Sequence, residues 1–246
     1  MAITTLLSPA VWMGPYRVSG DLSGAALKYG RDQKDATTFG MVSKARKAGL
    51  FDTTAEHHGY WNGGGPSDLM FGQVGLANVP LTIAPANTYG ADGEAAYSFP
   101  ANYASYELGG PLGDMLPFTV KAEAYGDRLV RGTLMHSTQD TSNVDVLRVA
   151  SGTGTIRQLG ATSATQKLYI GVHVISATGN LTVLVKSAAL VGFGSPTTRY
   201  TSSTFTAIGS DWAVVVGPIT DAFYRVDWTI SGGTPSFGFA VVVGII

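Results

Sequence analysis

Three consecutive residues, Glu56, His57 and His58, are the nearest feature of the sequence to a metal or acid–base cluster. They lie in a predicted β-strand, where neighbouring side chains point to opposite faces of the sheet. The two imidazoles therefore cannot converge on one metal ion without a bulge, and we expect no metal site. His136 and His173 each stand alone in a predicted strand, which favours packing over catalysis.

Pairs of carboxylates are the second possible source of chemistry. Asp140 with Asp145, or Asp221 with Asp227, would suit the two acids of a glycosidase. A chain with 17 acidic residues contains such pairs by chance, however. The sequence also lacks the G-x-S-x-G motif that positions a nucleophilic serine. We therefore expect no catalytic residues and interpret the chain as a non-enzymatic protein.

The composition favours self-association. Only 13% of the residues are charged, whereas 45% are apolar, so much of the surface must be neutral. The formal net charge of -1 provides no field that attracts nucleic acid, and the only basic cluster is Lys44, Arg46 and Lys47. The chain has no cysteine for a disulfide or a thiolate zinc site, and Gly152 and Gly154 lack the third glycine of a dinucleotide-binding motif. No cofactor is expected.

The sequence contains no recognisable signal for export or for the membrane. The N-terminus lacks the basic start of a secretory signal. No apolar run approaches the roughly 20 residues that a membrane helix requires. We expect a soluble protein without an export signal of its own.

Alternating apolar and polar residues predict β-strands along most of the chain. From Leu116 to Ala124 the even positions are apolar and the odd positions carry mainly Thr, Lys and Glu, which is typical of a half-buried strand. Further strands are predicted at 16–29 and 51–61. Ser67 is expected to begin a short helix that ends at Gly72, with its hydroxyl accepting a backbone amide.

Two stretches of the first half are predicted to be irregular. Residues 31–49 show neither strand nor helix periodicity, which indicates a long loop. Residues 79–93 contain Pro80 and Pro85, which disfavour a central strand.

The second half is predicted to consist of short strands. Residues 167–175 and 181–185 are expected to form a hairpin with a turn at 176–180. Later strands are predicted at 200–207, 212–216, 222–230 and 236–246. The last of these is apolar throughout, so it must be covered on both faces, either as a central strand or by another subunit.

These patterns predict an all-β protein with two domains. Residues 1–150 would form a β-sandwich or barrel with one short helix, and residues 151–246 a jelly-roll or immunoglobulin-like sandwich. Tyr224 and Trp228 share a face with Val226 and are expected to point inward, so that they pack in the core rather than stack on sugars.

The first half resembles the major tail tube proteins of long-tailed bacteriophages over residues 15–136. The segments that carry the resemblance are YRVSGDLSGAAL, DATTFG followed by KAGLFD, HHGYW with the short helix after it, and SYELGGPLGDMLPFTVKAEA closing on LVRGTLM. The second half looks like the additional β-sandwich domains displayed on virion proteins.

The resemblance implies a structural role in the virion. Six copies would form a ring, and stacked rings would form a tail tube through which double-stranded DNA passes without sequence-specific binding. Partners would be further copies and other tail proteins, assembled in the host cytoplasm, with no membrane involved. Loop 31–49 would reach the adjacent ring. The subunit-interface candidates are Asp35, Thr37, Thr38, Phe39, Lys44, Arg46, Lys47, Leu50 and Phe51.

Two other functions remain open at this point. A capsid-decorating or carbohydrate-binding virion protein would act through residues 151–246. A β-rich hydrolase ranks well behind both structural interpretations.

Overall fold

The computed structural model describes residues 9–63, 66–86, 89–111, 114–139 and 144–246. Within these ranges the chain forms 14 β-strands, one 3-10 turn and one α-helix, which confirms the predicted all-β class.

The chain divides into two compact units that are discontinuous in sequence. The first comprises Met1–Gly20, Asn78–Pro100 and Val130–Ile246, and the second comprises Asp21–Ala77 and Ala101–Leu129. The predicted domain boundary near residue 150 stays a prediction, because a division into compact units does not show which parts of the chain fold independently.

Eleven strands contribute to the first unit. They are β1 (Ala10–Met13), β2 (Tyr16–Arg17), β5 (Val79–Ala84), the start of β6 (Ala95–Leu108), β8 (Val130–Ser137), β9 (Gly152–Thr153), β10 (Arg157–Gln158), β11 (Lys167–Ala188), β12 (Thr197–Thr201), β13 (Gly209–Val216) and β14 (Phe223–Ile245). The second unit contains β3 (Leu22–Asp35), β4 (Arg46–Tyr60), α1 (Pro66–Gln73), the end of β6, and β7 (Pro117–Ala124), preceded by the 3-10 turn Ser19–Asp21.

Strands β11 and β14 form the centre of the first unit. They pair antiparallel from Leu168 opposite Ile245 to Ala188 opposite Phe223. Their inward side chains make one apolar core, in which each fully buried aliphatic or aromatic side chain contributes roughly 1.5–3 kcal/mol. Tyr224 and Trp228 are buried in this core, as predicted.

The predicted hairpin at 176–180 is wrong, although both apolar runs beside it are strands. Gly179 alone lies opposite residues 232–235 of β14, because Thr178 pairs with Ser236 and Asn180 with Ser231. The glycine signals therefore mark an irregularity inside two continuous strands. The segments 222–230 and 236–246 are predicted as separate strands, but both belong to the single strand β14.

The apolar run at the end of the chain is a central strand. Residues 239–243 are buried, and β14 pairs there with β11 on one side and with β8 on the other. The first unit itself therefore covers this strand, without a second subunit.

Residues 79–93 are not irregular throughout. Residues 79–84 form β5, which lies between β1 and β6. Pro80 is the second residue of the strand, where a missing amide interrupts little of the ladder, and its carbonyl accepts the amide of Gly14 at 2.9 Å. Proline disfavours a central strand only when it lies inside that strand, whereas Pro80 lies near the start of β5 and Pro85 follows its end.

A fully buried histidine joins three parts of the first unit. Nδ1 of His173 lies 2.7 Å from the carbonyl oxygen of Gly14, and Nε2 lies 2.8 Å from the hydroxyl of Thr82. The Thr82 hydroxyl in turn contacts Oγ of Ser98 at 2.8 Å. Since a carbonyl only accepts, Nδ1 carries the proton and Nε2 accepts from Thr82.

The second unit is built on four antiparallel strands in the order β3, β4, β7, β6. The predicted alternation in β7 is confirmed: Phe118, Val120 and Ala122 are buried. His57 is also buried, whereas His58 points to the other face and contacts the Thr119 hydroxyl at 3.0 Å. The two imidazoles therefore diverge, as the strand pattern predicted.

The short helix is confirmed as α1, but its predicted cap is not. Ser67 lies within the first turn, and its hydroxyl donates to the carbonyl of Asn62 at 3.3 Å. Asp68 lies in the first turn, where its negative charge is favourable near the positive end of the helix dipole.

Candidate functional site

The outer half of the β3–β4 hairpin is the candidate site, and we call residues 31–50 the arm. The prediction of an irregular loop over 31–49 is wrong in extent, because residues 31–35 belong to β3 and residues 46–49 to β4. Only residues 36–45 connect the two strands. The mixed charges of this segment hid a strand pair that has no buried face and therefore no apolar alternation.

The tip of the arm is ordered by its own hydrogen bonds. The amide of Ala36 donates to the carbonyl of Ala45 at 2.9 Å. Oδ1 of Asp35 accepts both the amide of Thr37, at 2.9 Å, and its hydroxyl, at 2.6 Å, and these bonds lower the pKa of the Asp35 carboxyl. The Thr37 hydroxyl also accepts the amide of Ala45 at 3.0 Å. The connection is thus a defined structure that closes the register between Asp35 and Arg46.

Aromatic and cationic side chains support the base of the arm. The rings of Tyr29 and Phe51 stack with centroids 5.4 Å apart. The guanidinium of Arg31 lies 4.0 Å from the centroid of the Phe51 ring, and that of Arg128 lies 5.5 Å away. These cation–π contacts hold the arm to the second unit where it leaves the sheet.

The far end of the arm presents large apolar side chains to solvent. Leu50, at the base of the arm, is 86% exposed, whereas Phe39 and Val42 at the tip are fully exposed. Met41 is half exposed between them. An exposed apolar group of this kind on an ordered projection is typical of an interaction site.

The arm also concentrates positive charge. Five of the 16 basic residues and two of the 17 acidic residues lie in it, so its formal charge is +3 and that of the remaining chain is -4. Lys34 lies directly opposite Lys47 across the strand pair, and its ammonium group forms an ion pair with the Asp32 carboxylate on its own strand. The net positive charge of the arm suits a negatively charged binding partner.

All nine predicted interface residues lie on this one hairpin and are exposed. Thr37 and Asp35 shape the tip, Lys47 and Arg46 begin β4, and Phe51 forms the base. Their role in an interface stays a proposal. The prediction missed Met41 and Val42, although two adjacent apolar residues in a segment without periodicity were a signal for an exposed apolar tip.

The carboxylates proposed for a glycosidase have other partners. Asp221 accepts from the Ser187 hydroxyl at 2.7 Å and from Arg199 at 2.9 Å. Asp227 contacts Arg225 at 2.6 Å and Lys186 at 2.9 Å. Asp140 of the other pair lies outside the described residues. In the described part of the chain, no three His, Cys, Asp or Glu side chains converge as a metal site would require.

The remaining histidine belongs to a packed aromatic cluster. His136 is buried with its ring 4.5 Å from that of Trp228 and 4.7 Å from that of Phe239. Its Nδ1 lies 3.6 Å from Oδ2 of Asp92, and Oδ1 of the same carboxylate accepts the amide of Ser137. These contacts fix the loop around Asp92 against the sheet.

The described α-helix has eight residues and is too short to span a membrane.

Comparison with known proteins gives only distant structural similarities. No protein-family model and no curated protein sequence matches the chain. Among solved structures, the SPP1 Dit protein, a hub of the adsorption apparatus in phages that infect Gram-positive bacteria, overlaps with 98% of this chain and 100% of its own length, at 12% identity and a TM-score of 0.40.

Two further overlaps involve gene transfer agent particles. A protein of the native virion matches 47% of this chain and 87% of its own length at 12% identity, and one from the tail of the empty particle, with C6 symmetry, matches 45% and 81% at 13% identity. Both have a TM-score of 0.35. With TM-scores below 0.5, these similarities identify no fold family, and the function must be argued from the residues.

Proposed function

We propose that the chain is a structural protein of a bacteriophage tail that assembles with further copies of itself into stacked hexameric rings. The rings form a tube through which double-stranded DNA passes without sequence-specific binding. Other tail proteins join the ends of the tube, and the assembly takes place in the host cytoplasm. No reactive group is required for this function.

The arm is the observation that carries the proposal. It is an ordered β-hairpin extension with an exposed apolar tip and a net positive charge. These features are unfavourable in a free monomer but favourable once another protein surface covers them. The sequence resemblance to tail tube proteins assigns the same segment to the contact between rings.

Closure into a ring needs a second, different contact. A head-to-tail interface joins one surface of a subunit to a different surface of the next, and it closes when the rotation divides a full turn. Strand β3 offers such a surface, because its pairing among the described residues is with β4 alone. Its free edge would pair with an edge of the neighbouring copy in the ring.

Shortening the arm tests the proposal without disturbing the core. The amide of Ala36 donates to the carbonyl of Ala45, so the residues between this pair, 37–44, can be replaced by Asn-Gly, which forms the type I′ turn preferred in two-residue hairpins. We expect the wild-type protein to form rings and tubes in negative-stain electron microscopy. The shortened variant should keep its circular dichroism spectrum and melting temperature but form no tubes.

Phe39 allows a finer version of the same test. Phe39→Ala removes a fully exposed ring, so the free energy of unfolding should change by no more than about 0.5 kcal/mol. Tube formation should nevertheless decrease. A wild-type protein that sediments as a monomer at all concentrations, or a shortened variant that forms tubes normally, would contradict the proposal.

A further inference from the structure

A second apolar surface in the second unit has no cover within the described residues. We call it the helix patch, and it surrounds α1 and the adjoining ends of β4, β6 and β7. Phe71 is 66% exposed and Met115 is 68% exposed. The other exposed apolar side chains of the patch are Trp61, Leu69, Val74, Leu76, Leu108 and Leu116.

Contacts between these segments make the patch continuous. The amide of Trp61 donates to the carbonyl of Leu116 at 2.8 Å, which places the end of β4 beside the start of β7. The ring of Phe71 meets that of Tyr106 edge to face at 5.5 Å, which joins α1 to β6. Leu76, just beyond α1, is held to β6 by a backbone hydrogen bond of 3.2 Å between its carbonyl and the amide of Tyr103.

The helix patch is acidic where the arm is basic. The segments that form most of it, residues 66–76, 105–111 and 114–118, contain no lysine or arginine, and Asp68 and Asp114 are acidic. The third acidic residue of these segments, Glu107, pairs with Thr119 and points to the opposite face of the sheet. The helix patch therefore carries a formal charge of -2, against +3 for the arm. Both surfaces combine exposed apolar side chains with charge of a single dominant sign, so they complement each other in both respects.

The two surfaces lie at opposite ends of one strand. β4 begins at Arg46, next to the tip of the arm, and ends at Tyr60, next to Trp61 of the helix patch. Fifteen residues of extended chain separate the ends by about 45 Å. The arm is held in this strand, so it cannot fold back onto the helix patch of its own copy.

We propose that the arm of one copy binds the helix patch of a second copy. The inference rests on the proposed function and adds the receptor surface for the arm. Phe39, Met41 and Val42 pack against the apolar side chains around Phe71, and the basic residues of β4 face the acidic residues around them.

This arrangement is directional, with each copy bound head to tail, and it does not close into a ring by itself. Each copy offers a tip at one end and a receptor at the other, so every bound copy leaves one of each free. Successive copies are displaced along the direction of β4, which corresponds to growth by axial stacking.

The absence of cysteine allows a direct test by disulfide cross-linking. Val42→Cys places a single thiol on the tip, and Phe71→Cys places one on the helix patch. When the two single variants are mixed and oxidised, we expect the mixed disulfide dimer to be the main product. Phe71→Cys alone should give little dimer, because two helix patches do not meet.

Leu190→Cys supplies a matched control, because Leu190 is 75% exposed and lies in the first unit. Mixed dimers of Val42→Cys with Leu190→Cys should form at background level. Equal yields with Phe71→Cys and Leu190→Cys, in a protein that forms tubes, would overturn the receptor assignment and leave the tail-tube proposal standing. A protein without any intermolecular cross-link or tube would overturn both.

Charge exchange provides an independent measurement. Reversing Lys44, Arg46 and Lys47 to Glu should abolish tubes, and reversing Asp68 and Asp114 to Lys should do the same. A protein that carries both sets of reversals should recover tube formation, because the complementarity is restored with opposite signs. Failure of the double set to recover, while each single set remains folded by circular dichroism, would contradict the direct contact.

Discussion

His173 makes a contribution to stability that depends on pH. The imidazole is fully buried, and burial lowers its pKa from 6.5 to about 4 in the folded protein. The hydrogen bond to the Gly14 carbonyl opposes this effect without cancelling it. As the pH falls below 6.5, the unfolded chain therefore binds a proton that the folded protein does not.

The magnitude follows from the two pKa values. Stability from this group is fully present above pH 6.5 and decreases as the pH falls toward 4, below which both states are protonated and the effect levels off. At 1.36 kcal/mol for each pH unit, the loss of unfolding free energy amounts to about 3 kcal/mol.

The assay is denaturant unfolding between pH 7.5 and pH 4, roughly the interval set by the two pKa values. Tryptophan fluorescence is a suitable probe, because the ring of Trp12 stacks on His173 at 6.1 Å. The variant His173→Gln removes the titrating group while keeping a donor and an acceptor. The arm-shortened background keeps the protein from assembling during the measurement.

We expect the difference in unfolding free energy between the parent protein and His173→Gln to change by about 3 kcal/mol over this range. The parent protein loses more stability on acidification. His58→Gln, at a half-buried site on the other unit, controls for the loss of an imidazole in general. Parallel pH profiles for the parent and His173→Gln would refute the reasoning.

Two further substitutions test the packing described above. His57 is buried, and neither ring nitrogen has a hydrogen-bond partner within the described structure. His57→Leu should therefore raise the unfolding free energy by about 1–2 kcal/mol in denaturant titration. A decrease would show that the ring nitrogens form hydrogen bonds in solution. Gly179 has φ of 95°, and a Cβ there would lie 2.7 Å from a carbonyl oxygen, so Gly179→Ala should lower the melting temperature by an amount equivalent to more than about 1 kcal/mol. Gly233→Ala, with open space around its Cα, should have little effect, and equal losses at both positions would contradict the close approach.

Strands with one buried face could be predicted from the sequence. The alternation in β7 indicates its position, because burial on one face imposes a period of two residues. The unbroken apolar runs in β11 and β14 indicate strands that are buried on both faces. The inward direction of Tyr224 and Trp228 followed from the period of two residues.

Connections were harder to predict, because glycine marks a turn and a bulge in the same way. In the sequence Gly179 indicates a turn, yet in the structure it lies opposite a longer segment of β14. A strand more than 50 residues away in the sequence determines whether a turn or a bulge is formed, so no local signal distinguishes the two.

The candidate site was only half predictable. The basic cluster from Lys44 to Lys47 identified the arm, but a hairpin without a buried face carries no alternation, so its strands were missed. The helix patch gave no signal either, since an apolar residue such as Phe71 in a short helix normally packs inward.

In a stack of copies joined as proposed, the length of strand β4 determines the axial distance between copies. Because it carries the tip at one end and the receptor surface at the other, its length sets the axial repeat between successive rings. Adding two residues to both β3 and β4 would lengthen this repeat by roughly 6.6 Å and keep every side chain on its original face. Adding a single residue to each strand would move the side chains of the arm to the opposite face of the strand pair. The spacing between rings could therefore change only in steps of two residues.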